Sequence, residues 1–553
     1  MLFVHPFATQ FVKGCQENCW KSGMKLEQRA AGILSALILL FWLAICITDV
    51  NHPPGVRYVR LAAAALVLLA GGLELWRRWW GIGLFLLIWP HCWMLRPVLS
   101  DHLSPLFAAL PEFWGGPMAA ALAVGVWLHG ERSLLMKPRQ EDLPARGASP
   151  LALPSPQRGE GGVRGSGSGR WLAAFRAAFR VLLAAWFLSV VCALVRLHPP
   201  PPGFTVQQTD FRHLLWLGPF SSMAPLLSLT QAPPALLLGL LLLNALNDTA
   251  PQAIRTWSLL PGLLYLGCFS VALGLAKAAL QLRWSWVYDP FPNRNITAVV
   301  MAVCGLLLLT LTPRLVGSLK KILLVAVSAA MLLLACAIGS RNGAFVVLAS
   351  MWLALFLKAR PWALVLACVL PLLALILLWW LPPPQPGENS DTTVQRSMKT
   401  IADAREGRWE DAVPQRLAIY QTALQLAARY PLLGSGPQTF VMFANDKDRF
   451  RFATQQSSAE SVLHAHSVPL QLCAEIGLPG ALAWLAIWFV LPWMGMLRWE
   501  RGNGLALAVL ALGVGNLFDA VWLIPGVATF GVLTVVAACA CRAGPGDDSV
   551  VPS

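Results

Sequence analysis

The run Ile322–Leu357 reads ILLVAVSAAMLLLACAIGSRNGAFVVLASMWLALFL. It holds 36 residues and a single charge, Arg341. As one helix it would extend roughly 54 Å at ~1.5 Å per residue, far beyond a hydrocarbon core of about 30 Å. Lys320 and Lys321 precede it, and Lys358 and Arg360 follow it. Basic residues stay on the cytoplasmic side of a membrane, so both ends share one side and the run crosses an even number of times. It is read as two spans joined by the tip GSRNG, where Gly339 and Gly343 permit the reversal. Arg341 then stands at the outer face.

Apolar segments of this kind recur along the chain, near 31–49, 59–76, 79–95, 117–130, 171–196, 234–247, 257–281, 296–312, 319–338, 343–357, 362–380, 476–497, 505–516 and 521–541. Of 553 residues, 57% are hydrophobic and 12% charged, too apolar for one soluble core. The fold class expected is an all-α polytopic integral membrane protein with about 12–14 transmembrane helices and one large extracytoplasmic loop that contains helices. The net charge of +15 would suit nucleic acid, but Lys13, Lys21, Lys25 and Arg29 precede the first apolar segment and Arg77, Arg78, Arg498 and Arg501 sit between later ones, where they fix topology. No nucleic-acid partner is expected.

The boundaries follow. N-terminal spans occupy 1–137. The stretch 138–170, with PSPQRGEGGVRGSGSGR, reads as a disordered cytoplasmic linker. Central spans cover 171–380, the extracytoplasmic loop 381–475, C-terminal spans 476–541 and a cytoplasmic tail 542–553. Within the loop, Pro414 to Arg429 has a partial apolar face and ends at Pro431. Most of the 12 cysteines lie in apolar segments and none in the loop from about 381 to 463, so a disulfide-stapled outer domain is not expected. Cys15 and Cys19 read as incidental, and no cleavable signal peptide is expected.

Few polar residues stand where chemistry could use them. Arginine at membrane depth costs ~2.5 kcal/mol or more at the centre, so Arg341 is either a solvated turn residue or a guanidinium held to bind phosphate. Arg416 opens the loop helix, with Tyr420 and Gln421 one turn on. Gly434 and Gly436 lie in a turn that either offers amides to an anion or simply stops the helix. His464 and His466 precede the apolar run HAHSVPLQLCAEIGLPG. On a helix they would point about 200° apart, so they could not chelate one metal together. Glu460 lies one helical turn before His464, but no HExxH spacing occurs. The pair is otherwise a headgroup-facing surface feature, or one histidine accepts a proton from a sugar hydroxyl.

Together and in order, GSRNGA, PQRLAIYQTALQLAARYPLLGSGPQTF and HAHSVPLQLCAEIGLPGALAWL resemble the O-antigen ligase superfamily, which also holds O-antigen polymerases and protein O-oligosaccharyltransferases. The likeness covers roughly residues 285–500. Arg341, Arg416, Pro431 to Pro437, His466, Gln471, Glu475, Gly477 and Gly480 fall on the pattern. Arg294 and Asn295 in DPFPNRNITA resemble the Asn-containing entry to a span. Ser467 departs from it, since the family usually has Asn after this histidine. The resemblance implies a glycosyl transfer that needs neither metal nor cofactor, at the periplasmic face of the bacterial inner membrane. A glycan on undecaprenyl pyrophosphate would pass to a hydroxyl of lipid A–core, or of another glycan or a protein. Arg341, Arg416 and His466 would be catalytic. Arg294, Tyr420, Gly434, Gly436, His464 and Gln471 would bind substrate. The competing class is a transporter or flippase of lipid-linked sugars. It would place such groups near the midplane on broken helices rather than at one outer face.

Overall fold

The computed structural model of the chain describes residues 25–44, 54–76, 80–87, 110–135, 166–196, 228–248, 294–311, 318–337, 340–357, 414–444, 464–498 and 503–540, with isolated positions at 272, 369, 398, 402 and 405–406. Most of the expected linker, and nearly all of the spans expected at 257–281 and 362–380, lie outside the described residues. Among the described residues the structure is helical, with no strand.

Helix α1 is Lys25–Ala44, α2 Pro54–Trp76, α3 Leu110–Leu135, α4 Ser166–Arg196 and α5 Ala232–Asp248. Then come α6 Arg294–Leu311, α7 Ser318–Ala337, α8 Arg341–Leu357 and α9 Pro414–Arg429. Last are α10 Val468–Leu485, α11 Asn503–Leu517 and α12 Pro525–Ala540. Among the described residues, three stretches are long and apolar enough to cross a membrane: Lys25–Ala44, Trp171–Val195 and Val468–Gly495. Others, such as Asn295–Leu309, Lys321–Cys336 and Pro525–Cys539, are apolar but shorter. In lipid only a helix can satisfy every backbone polar group within its own segment, which is why so apolar a chain resolves into helices.

The hairpin read from Ile322–Leu357 is present as α7 and α8, which pack against each other. Ser340 makes the break. Its Oγ accepts the Gly343 amide at 3.1 Å, capping the first turn of α8. Gly343 then lets α8 approach α6, because a Cβ there would lie 2.2 Å from Ala298 Cβ. α6 also packs on α7 and α11, and α11 on α12, so these helices form one core cluster with α4, α5 and α10.

Two boundaries differ from expectation. α4 starts at Ser166, inside the stretch read as linker. α10 starts at Val468 rather than near 476. Gln471 and Glu475 lower the hydropathy of its first turns, yet both are buried with hydrogen-bonded partners inside the protein. A second, smaller core lies around α9, where Ile419, Ala423 and Leu426 meet Phe440, Phe443, Ala465 and Ala474.

Candidate active site

The segment His464–Ser467 approaches α10 with His466 in the left-handed region, at φ 49°. Histidine is among the residues that tolerate this conformation, but a non-glycine held there needs support from its surroundings. Support comes from both sides. The Ala465 amide donates to Gln471 Oε1 at 2.7 Å, and Gln471 Nε2 donates to Glu475 Oε1 at 3.1 Å. The Glu475 carboxylate thereby fixes the Gln471 amide with its oxygen toward Ala465. On the far side the Tyr420 hydroxyl reaches the His466 carbonyl at 3.4 Å.

The ring of His466 faces a carboxylate that the sequence reading did not single out. His466 Nδ1 lies 3.6 Å from Asp519 Oδ1. That is an ion-pair distance when the ring is protonated and longer than a formed hydrogen bond. Asp519 sits in the turn between α11 and α12 and is itself firmly held. Its Oδ2 accepts Asn295 Nδ2 at 2.6 Å, and its Oδ1 accepts the Ala520 amide at 2.8 Å. Burial alone would push this carboxyl upward. The neighbouring His466 ring, with the Ala520 and Asn295 donors, outweighs burial and holds it below the ordinary aspartate value. Asp519 therefore stays ionised near neutral pH.

The same turn ties in the arginines. Arg416 Nη1 donates to the Phe518 carbonyl at 3.0 Å. The Phe518 ring meets Phe345 edge-on, with centroids 5.3 Å apart. Ser340 donates to Asn295 Oδ1 at 2.8 Å, which fixes the tip that carries exposed Arg341. Asn295 thus bridges Asp519 to the cap of α8. Four helices begin around this turn: α6 at Arg294, α8 at Arg341, α9 at Pro414 and α10 at Val468. Each helix start carries partial positive charge, so their meeting favours an anion, and the guanidinium of Arg416 reinforces it.

Tyr420 adds a neutral donor. Burial and the Asp519 charge raise its phenol, against an opposing influence from Arg416, so it stays protonated at neutral pH. His464 is partly buried two residues before His466. Arg294 opens α6, and the contact expected of it falls on a side chain outside the described residues.

The Gly-rich turn has a different place from the one expected. The Gly434 amide donates to the Tyr430 carbonyl at 3.0 Å and the Gly436 amide to the Glu475 carbonyl at 2.9 Å. Neither amide is left for a substrate anion. The turn docks backbone to backbone into a break in α10 at Gly477, whose φ is 82°. A Cβ on Gly434 would lie 2.1 Å from Glu475 C, and one on Gly477 would lie 2.2 Å from the Leu432 oxygen. The turn does hold a carboxyl group, but it is the chain's own. Glu475 accepts the Phe440 amide at 3.0 Å and a backbone hydrogen bond from Gln438. Gln471 likewise works inside the protein, holding the histidine segment in place.

Sequence reasoning thus missed Asp519 and gave Asn295 no role of its own. A signal existed for the first. Asp519 is the one charged residue between Leu505 and Cys541, and an ionisable group in so apolar a stretch marks function by default.

Residues 326–485 match the family model described as O-antigen ligase. No curated protein and no solved structure matches the chain. The matched segment is less than a third of the chain, and over it the resemblance to the O-antigen ligase superfamily holds. It contains Arg341, Arg416, His466 and Gln471, begins after Asn295 and ends before Asp519.

Proposed function

We propose, from the O-antigen ligase domain over residues 326–485, that the chain is an O-antigen-ligase-like membrane glycosyltransferase. Its donor is a glycan on undecaprenyl pyrophosphate, and its acceptor is a hydroxyl of lipid A–core at the periplasmic face of the inner membrane. The observation that carries this reading is the meeting of four helix starts, Arg416 and the His466–Asp519 pair around one turn. An anion fits the helix starts and the guanidinium, and a proton acceptor stands beside them.

In the reaction, the bond from the sugar's anomeric carbon to the pyrophosphate oxygen breaks. A bond from that carbon to the acceptor oxygen forms, and the acceptor's proton moves to His466. Asp519 faces Nδ1, which favours the tautomer with its proton there and leaves the Nε2 lone pair as acceptor. The departing polyprenyl pyrophosphate keeps the bonding electrons. Arg341 and Arg416 oppose its growing negative charge, a task guanidinium groups perform without a metal. Below Arg341, the exposed side chains Phe345, Leu348 and Trp352 follow at one helical spacing on α8, an apolar strip suited to a lipid-borne donor.

The test is transfer by purified protein in lipid nanodiscs with a defined undecaprenyl-pyrophosphate glycan. Lipid A–core, a second lipid-linked glycan and a peptide serve in turn as acceptor. Product on lipid A–core is expected. Product on glycan or peptide alone would make the chain a polymerase or a protein transferase, and donor movement across the bilayer without transfer would make it a transporter.

A further inference from the structure

The exposed side of α9 is divided lengthwise. At ~100° per residue, Leu417, Leu424 and Ala428 fall within about 40° of one another, while Gln421, Gln425 and Arg429 occupy the next flank. The buried side, with Ile419, Ala423 and Leu426, packs in the smaller core. Tyr420 and Arg416 border the leucine flank on the side away from the glutamines.

The leucines are far from covered. Leu417 is 56% exposed, Leu424 54% and Leu432, just past the helix, 71%. The strip does not end in water. The Leu478 amide donates to the Pro431 carbonyl at 2.8 Å, which joins the end of the strip to α10. Leu478 and Leu482 are 49% and 54% exposed on a helix long and apolar enough to cross the membrane. Exposed leucines on such a helix face lipid. The leucine flank of α9 therefore continues a lipid-facing surface, with the exposed polar flank beside it about 80° around the helix, an amphipathic division suited to a helix lying in a membrane interface.

We propose that α9 lies in the plane of the membrane and docks Leu417, Leu424 and Leu432 among the acyl chains of the outer leaflet. Its docking sets Arg416 and Tyr420 at the depth of lipid phosphates. The occupant is phospholipid, and the inference stands on exposure and continuity, independent of the chemistry proposed above.

Full-length protein carrying p-benzoylphenylalanine at position 417, 424, 425 or 482 is reconstituted in phosphatidylethanolamine–phosphatidylglycerol vesicles and irradiated. Position 482 is the lipid-facing reference. The expected result is a phospholipid mass added at 417 and 424 as at 482, with several-fold less at 425. Crosslinks from 417 and 424 to peptides of this chain or of a second copy, while 482 takes lipid, would overturn the proposal. So would equal lipid capture at 424 and 425. Positions 417 and 424 report the same flank separately, so loss of one variant leaves the other to decide.

Discussion

Asp519→Asn separates two ways of holding the ring of His466. If the carboxylate sets the tautomer, the amide keeps the bulk but loses the charge, and kcat should fall on the order of 10²-fold with little change in donor KM. His466→Ala should lose about 10²–10⁴-fold, the usual range for a general base, while His464→Ala stays near wild type. Steady-state kinetics in detergent check all three, and full activity of His466→Ala would remove the ring from the chemistry. Asp519 also carries a stability signature. Its folded value is depressed, so its contribution is present above the unfolded carboxylate value of about 3.9 and is lost as pH falls through the lower folded value. Thermal melts from neutral pH down to about 3 should show a steeper acid loss in wild type than in Asp519→Asn. Arg341, Arg416 and His466 stood out in the sequence only together, through three motifs in order that resemble one family, since each alone reads as an ordinary solvated side chain. Gly434 and Gly436 were misplaced because a glycine turn that takes a substrate anion reads the same as one that takes its own glutamate.

At the scale of elements, the break in α10 is the joint on which the site rests. Gly477 holds φ 82° and leaves no room for a Cβ, and Gly434 faces the same joint from the other strand of backbone. Gly477→Ala should therefore cost about 1–3 kcal/mol from backbone strain, with steric overlap added, and lower the melting temperature in detergent. A surface change such as Gln425→Ala should leave it unmoved. The break of the run 322–357 into the two packed helices α7 and α8 was legible, since its length is too great for one span. The start of α10 was not. Hydropathy sees Gln471 and Glu475 as polar, whereas the fold satisfies them with the Ala465 and Phe440 amides and buries both.

Across the whole molecule, the helical character and membrane class follow from an apolar excess that no soluble core could hide. What composition could not convey was that α6 and the α11–α12 turn, distant in sequence, complete the site through Asn295 and Asp519. Sidedness has its own test, with single cysteines and an impermeant reagent on spheroplasts. Labelling at 382–463 and protection at 138–170 are expected, and the reverse would invert the topology. The central claim is that Arg341 and Arg416 serve departure of a lipid pyrophosphate while His466 takes the acceptor proton. It is met most directly by one assay: release of undecaprenyl pyrophosphate coupled to glycan transfer, in proteoliposomes with excess chelator. Wild type should release one polyprenyl pyrophosphate per glycan transferred. Arg341→Ala and Arg416→Ala should each release almost none, with lysine at either position restoring only part because the charge returns without the planar fork. Undiminished coupled release from folded Arg341→Ala and Arg416→Ala proteins, or loss of wild-type release on chelation, would contradict the account.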